Sequence, residues 1–120
     1  MQLEAILRLT KYDIRCTHEA MDYIDKHYAD YISAESLSME VSLSVKKLQA
    51  GIQRETGLAL HDYILRVRVE KAKPLLSDTN KPIKAIADAV GFKTTSHFGE
   101  VFRKFTNITP SAFRNCMIEA

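Results

Sequence analysis

The chain has 120 residues, 46% hydrophobic and 27% charged, with 17 basic against 15 acidic side chains. That length suits one domain or two very small ones, and this much apolar surface excludes intrinsic disorder. Two cysteines cannot staple a disulfide scaffold, no run approaches the roughly 20 apolar residues of a membrane span, and the opening stretch lacks a signal peptide's apolar core and cleavage site. A reduced, cytoplasmic protein is therefore the expectation.

Only four glycines and three prolines punctuate the chain, and no segment shows sustained strand alternation, so it reads as helix nearly throughout. Leu3, Ile6, Leu7 and Leu9 suggest a short opening helix. Thr17 is a candidate N-cap for a second, in which Ala20, Met21, Ile24 and Tyr28 recur at helical spacing. Ser33 can cap a short helix carrying Leu37 and Val41. Ser44 can cap another carrying Val45, Leu48 and Ile52, which stops near Gly57. Residues 61–76 form a longer helix with Tyr63, Ile64, Val67, Ala72 and Leu75 inward, and Pro74 is expected to kink or shorten its last turn. Pro82 suits the first position of a helix that ends at Gly91. A helix over 95–105 follows, with Phe98, Phe102 and Phe105 inward. Thr109-Pro110 then reads as the N-cap and first residue of a terminal helix.

An internal repeat organises these elements. At an offset of 49, Leu37 and Val41 align with Ile86 and Val90, and Ser42-Leu43 with Gly91-Phe92. One residue is then inserted, and at an offset of 50 Leu48 meets Phe98, Ile52 meets Phe102 and Tyr63 meets Phe113. Each copy is a short helix, a tight turn and a longer helix, the layout of a helix-turn-helix. The second helix of that motif lies in the DNA major groove, so it needs one buried and one polar face. In the first copy the outward face is Lys46, Gln49, Ala50 and Gln53, flanked by Lys47. Lysine can donate to guanine, glutamine can pair with adenine, and Ala50 can touch a thymine methyl. In the second copy the outward face is Ser96, Gly99, Glu100 and Arg103, with Thr95 and His97 at its edges. Arg103 and Lys104 can hold phosphates, and Glu100 can accept from cytosine.

Charge supports this weakly. Residues 1–32 carry four basic and six acidic side chains, whereas 81–120 carry six and three. The positive excess in the C-terminal half favours a polyanionic partner. The four histidines show no metal-ligand spacing, and no nucleophile, paired carboxylates or phosphate loop stands out, so neither a cofactor nor an enzyme is expected. Cys16 and Cys116 read as packing residues.

The stretch 33–114 resembles the DNA-binding domain of the AraC/XylS transcription regulators. Residues 83–114, IKAIADAVGFKTTSHFGEVFRKFTNITPSAFR, carry the family's second-motif pattern: IA, then GF three residues later, S-x-F, F-[RK]-K and P-S-x-[FY]-R. Residues 33–72 carry S-x-x-x-L-Q, E-T-G, YI, an Arg at 66 or 68, and Ala72. The resemblance implies two helix-turn-helix subdomains bridged by a helix, binding double-stranded promoter DNA and recruiting RNA polymerase. It places Lys46, Gln49 and Ala50 at the base-reading positions of the first motif, and Thr95, Ser96, His97 and Glu100 at those of the second. The helix starts near Ser44 and Thr94 would meet phosphates. Ser42 stands where glycine is common in the first turn, Asn107 where glycine follows the last recognition helix, and Gly99-Glu100 where Ser-Arg is common. Most members carry a ligand-sensing domain ahead of this one, so any small-molecule ligand would bind through a segment not present here.

The expectation is thus an all-α fold of about seven helices: a linker or extra helix over 1–16, a first helix-turn-helix subdomain over 17–60, a bridging helix over 61–77 and a second subdomain over 78–120. A roughly 16-residue helix is about 24 Å long, so the two heads are expected to read adjacent major-groove segments, about 34 Å apart on one face of B-DNA. The alternative is a helical protein-interaction domain of the same fold with weak or no DNA binding.

Overall fold

The computed structural model describes residues 8–119, and within them seven helices and no strand. They are α1 Lys11–His27, α2 Ala34–Glu40, α3 Val45–Thr56, α4 Leu60–Asp78, α5 Ile83–Ala89, α6 Thr95–Thr106 and α7 Pro110–Glu119. The chain divides into two units, one up to Ile64 and one from Leu65. The opening helix expected around Leu3 to Leu7 falls outside the described residues.

In the first unit, α1 begins at Lys11, earlier than the expected Thr17 cap. Thr10 is the N-cap, and it forms a capping box: its hydroxyl accepts from the Asp13 backbone N–H at 3.0 Å, and the Asp13 carboxylate accepts from the Thr10 N–H at 3.0 Å. Two of the helix's orphan donors are met this way. Thr17 is instead a buried interior residue whose hydroxyl donates to the Asp13 carbonyl at 2.8 Å. Thr17 packs onto Gly51 of α3, where a β-carbon would lie 2.1 Å from the Thr17 hydroxyl. Only glycine permits that approach of α1 and α3. Cys16, Ala20 and Ile24 of α1 close the core with Leu37, Val41, Leu43, Leu48, Ile52, Leu60 and Ile64. Met21, Tyr28 and Val45 are half-buried.

The second unit has an aromatic core. Phe92, Phe98 and Phe102 are buried, and ring centroids run Phe92–Phe98 5.3 Å, Phe98–Phe102 5.7 Å and Phe102–Phe113 5.5 Å. These tilted and edge-to-face pairings add to the stabilisation from area burial. Val101 is buried, whereas Phe105, expected inward, is half-exposed, because the inward stripe follows 98, 101 and 102. The bridging helix also presents a different stripe from the expected one. Leu65, Val69, Ala72 and Leu76 are buried in this unit, while Tyr63, Val67 and Leu75 are only half-buried.

Pro74 does not shorten α4, which continues to Asp78. The proline ring is exposed, and the last turn is held by burial of Leu76 and by Arg114, which donates to the Leu76 carbonyl at 2.9 Å and the Thr79 carbonyl at 3.3 Å. Those bonds satisfy carbonyls that a helix end leaves without partners. Pro82 is the N-cap of α5 rather than its first residue. Cys16 is buried as expected, but Cys116 is exposed and packs in no core.

Candidate nucleic-acid interface

The two copies repeat in their backbone bonding as well as their sequence. The turn after α2 is closed by the Leu43 N–H donating to Ser38 at 3.0 Å, and the turn after α5 by Phe92 donating to Ala87 at 2.9 Å. Ser44 caps α3 by accepting from the Lys47 N–H at 3.2 Å; Thr94 caps α6 by accepting from His97 at 3.0 Å. Both helices stop on a left-handed residue, Gly57 at φ 76° and Asn107 at φ 71°. Just before each stop, Thr56 and Thr106 bond the same relative carbonyls, Ile52 at 2.7 Å and Phe102 at 2.8 Å. The turns show a second left-handed pair, Ser42 at φ 56° where the second copy has Gly91 at φ 101°, and here the first copy carries the β-carbon. A β-carbon in that region costs about 1–2 kcal/mol. The Tyr12 hydroxyl donates to the Ser42 carbonyl at 3.3 Å and ties the strained turn to α1.

With Leu48, Gly51 and Ile52 buried, the opposite face of α3 carries Lys46, Gln49 and Gln53, all exposed, and the half-buried Ala50. Lys46 has no ion-pair partner among the described residues. Lys47 is exposed but committed, its Nζ 3.4 Å from the Asp13 carboxylate. The Asp13 carboxyl is held below the usual carboxylate range, chiefly by the Thr10 backbone N–H and then by Lys47, against the opposing effect of burial. Gln53 turns partly back to the helix end, its amide donating to the Gly57 carbonyl at 3.3 Å. His18 of α1 meets Glu55 of α3 at 2.7 Å.

With Phe98, Val101 and Phe102 buried, α6 exposes Thr94, Thr95, Ser96, His97, Glu100, Arg103 and Lys104. Gly99 lies half-buried among them, with open space where a β-carbon would be. His97 is held edge-on against Phe92, centroids 5.3 Å apart, and the Lys104 ammonium lies 5.5 Å above the Phe105 ring. Arg103 has no ion-pair partner among the described residues. Arg68 of α4 donates to the Gly91 carbonyl at 3.0 Å with its guanidinium over Phe92, fixing the turn that leads into α6. The structure therefore gathers the candidate residues onto the outward faces and starts of α3 and α6, one set in each unit.

Sequence reasoning missed three exposed residues beside these faces. Lys93 directly precedes the α6 cap, and its signal was its place in the turn. Tyr31 and His61 border a groove of about 1080 Å³ alongside α3, formed by the 31–35 segment, Lys46, Gln49, Ala50 and Gln53, and the start of α4. They are 30 positions apart, so no local pattern links them. Among the described residues there is no cluster of His, Cys, Asp or Glu that could hold a metal, and no helix long and apolar enough to cross a membrane.

The model of a helix-turn-helix domain family matches residues 37–115. The transcriptional activator RhaS of an Enterobacter species is 31% identical over 95% of this chain and 43% of its own length. The C-terminal domain of AraT, a response regulator of Geobacillus stearothermophilus, has the same fold with a TM-score of 0.78 and 30% identity, covering 91% of this chain and 88% of that one. An AraC-type regulator structure from Chromobacterium violaceum gives 0.82 at 27% identity, covering 86% and 92%. The chain spans well under half the length of the curated relatives it matches. Duplicated helix-turn-helix bonding, two outward polar faces and these matches have one meaning: the chain belongs to the AraC/XylS family of transcription regulators and is the helix-turn-helix DNA-binding domain of that family.

Proposed function

We propose that this chain binds specific sites in double-stranded promoter DNA, with α3 and α6 reading adjacent major-groove segments, as the DNA-binding part of a larger cytoplasmic regulator. The observation that carries the reading is the duplicated cap, turn and stop geometry, which presents two polar helix faces over two closed cores. Lys46, Gln49 and Ala50 read bases from α3, with Gln53 at the far end of that face. Lys47 would leave Asp13 to reach a phosphate. Thr95, Ser96, His97 and Glu100 read from α6, and Arg103 and Lys104 hold phosphates. Ser44 and Thr94 present helix starts to the backbone. The division into 17–60, a bridge over 61–77 and 78–120 describes one head, its connector and the other head.

The chain acts as a binder and not as an enzyme. RNA polymerase is the partner recruited once DNA is bound, and any small-molecule signal enters through a sensor domain outside this chain. The test is binding of the chain to random-sequence duplex at two salt concentrations. The reading requires affinity that falls steeply as salt rises, since phosphate contacts release counterions. Absent or salt-independent binding would shift the chain to the protein-interaction reading.

A further inference from the structure

We infer that the groove beside α3 seats a DNA sugar-phosphate ridge, and that Tyr31 and His61 are its contacts. This rests on the DNA-binding reading above. A helix in the major groove lies in a channel about 12 Å wide and about 8.5 Å deep, with a phosphate ridge rising on each side. A concave surface continuous with the outward face of such a helix lies where one of those ridges rises. The groove meets that condition, because Lys46 and Gln49 line it together with Tyr31, Glu35 and His61.

Tyr31 stands 90% exposed in the loop before α2, an unusual place for an aromatic ring. His61 is exposed in the first turn of α4. A phenol hydroxyl and an imidazole N–H are donors of the kind that bond phosphate oxygens and fix register. Their use here suits the charge pattern of the chain, in which residues 1–32 carry more acidic than basic side chains. The first head thus adds these hydrogen bonds to its Lys47 contact, while the basic second head supplies most of the electrostatic attraction. Glu35 is the opposing group, since its carboxylate lines the same groove and repels a phosphate.

The experiment uses a duplex selected from a random library by the 120-residue chain, titrated at pH 8 over a series of salt concentrations. Tyr31→Phe keeps the ring and removes only the donor, and His61→Ala removes the imidazole; both sites are exposed, and a thermal melt checks that each variant folds. Each should weaken binding by about two- to tenfold, the range of one net hydrogen bond. Tyr31→Phe should retain the salt slope, because it removes no cation. Ethylation of one or more phosphates that weakens the wild type should have no further effect on the matching variant. Glu35→Gln should tighten binding. If the wild type binds and both donor variants bind equally well, the inference fails while the DNA-binding reading stands, and the groove belongs to another occupant. If the wild type fails to bind any duplex, the reading itself fails and takes this inference with it.

Discussion

The two helix-turn-helix copies share their backbone bonding and differ in what fills and faces it. The first closes an aliphatic core and allows α1 to press Thr17 onto Gly51. The second fills the same positions with Phe92, Phe98 and Phe102 and places Val101 where the first has glycine. The outward faces differ more: Lys46, Gln49, Ala50 and Gln53 against Ser96, Gly99, Glu100 and Arg103. Caps, turns and stops therefore fix the motif, while core identity and reading face vary separately within it. Two copies that kept one frame and changed their faces are suited to reading two different sequences.

The comparison can be broken first at the cores. Phe102→Ala should cost about 3–5 kcal/mol through the cavity it leaves, and Ile52→Ala a smaller loss in the first unit. A near-neutral thermal melt for Phe102→Ala would mean that the aromatic cluster does not hold the second unit. Gly51→Ala puts a β-carbon into Thr17 and should cost about 1–3 kcal/mol as overpacking. Adding Thr17→Ala should recover most of that loss, and absence of coupling in the double-mutant cycle would contradict the close approach. At the faces, Gln49→Ala should weaken the selected duplex by about 1–3 kcal/mol and leave random DNA little changed. Equal losses on both would remove base reading from α3.

Smaller effects sharpen the contrast. Ser42→Gly should stabilise the first turn by about 1 kcal/mol, because glycine adopts positive φ without steric cost, and an unchanged or lower Tm would show that the Tyr12 tie already relieves the strain. Asp13 adds a pH signature to the first unit. Its folded pKa is lowered, so its stabilising contribution is complete above the unfolded value of about 3.9 and is lost as pH falls through the folded value. Asp13→Asn should therefore flatten the acid limb of the melt, and an acid limb identical to wild type would contradict the capping-box and Lys47 contacts.

Most of the frame was legible in the sequence because its signals are local. Ser33 and Ser44 cap α2 and α3 where their type and spacing place them, and Gly57 stops α3; for α6 the family resemblance points to the Thr94 start and the Asn107 stop. α1 starts at Lys11 and not at the expected Thr17: Thr10 and Asp13 have the spacing of a capping box, but the leucine-rich stretch before them blurs the boundary. The inward stripe of α4 departs from expectation for a different reason. Leu60 and Ile64 serve the first core and Leu65, Val69, Ala72 and Leu76 the second, so no single helical stripe describes it. The commitment of Lys47 to Asp13 and the meeting of Tyr31 with His61 around one groove depend on tertiary placement, which spacing along the chain does not encode.

The most direct test of the two-head account is repeated selection of this chain's sites from a random duplex library, followed by sequencing. Two enriched blocks about one helical turn apart, one sensitive to Gln49→Ala and the other to Glu100→Ala, are the predicted result. A single enriched block, unchanged by substitutions on α6, would contradict the claim that both copies read sequence.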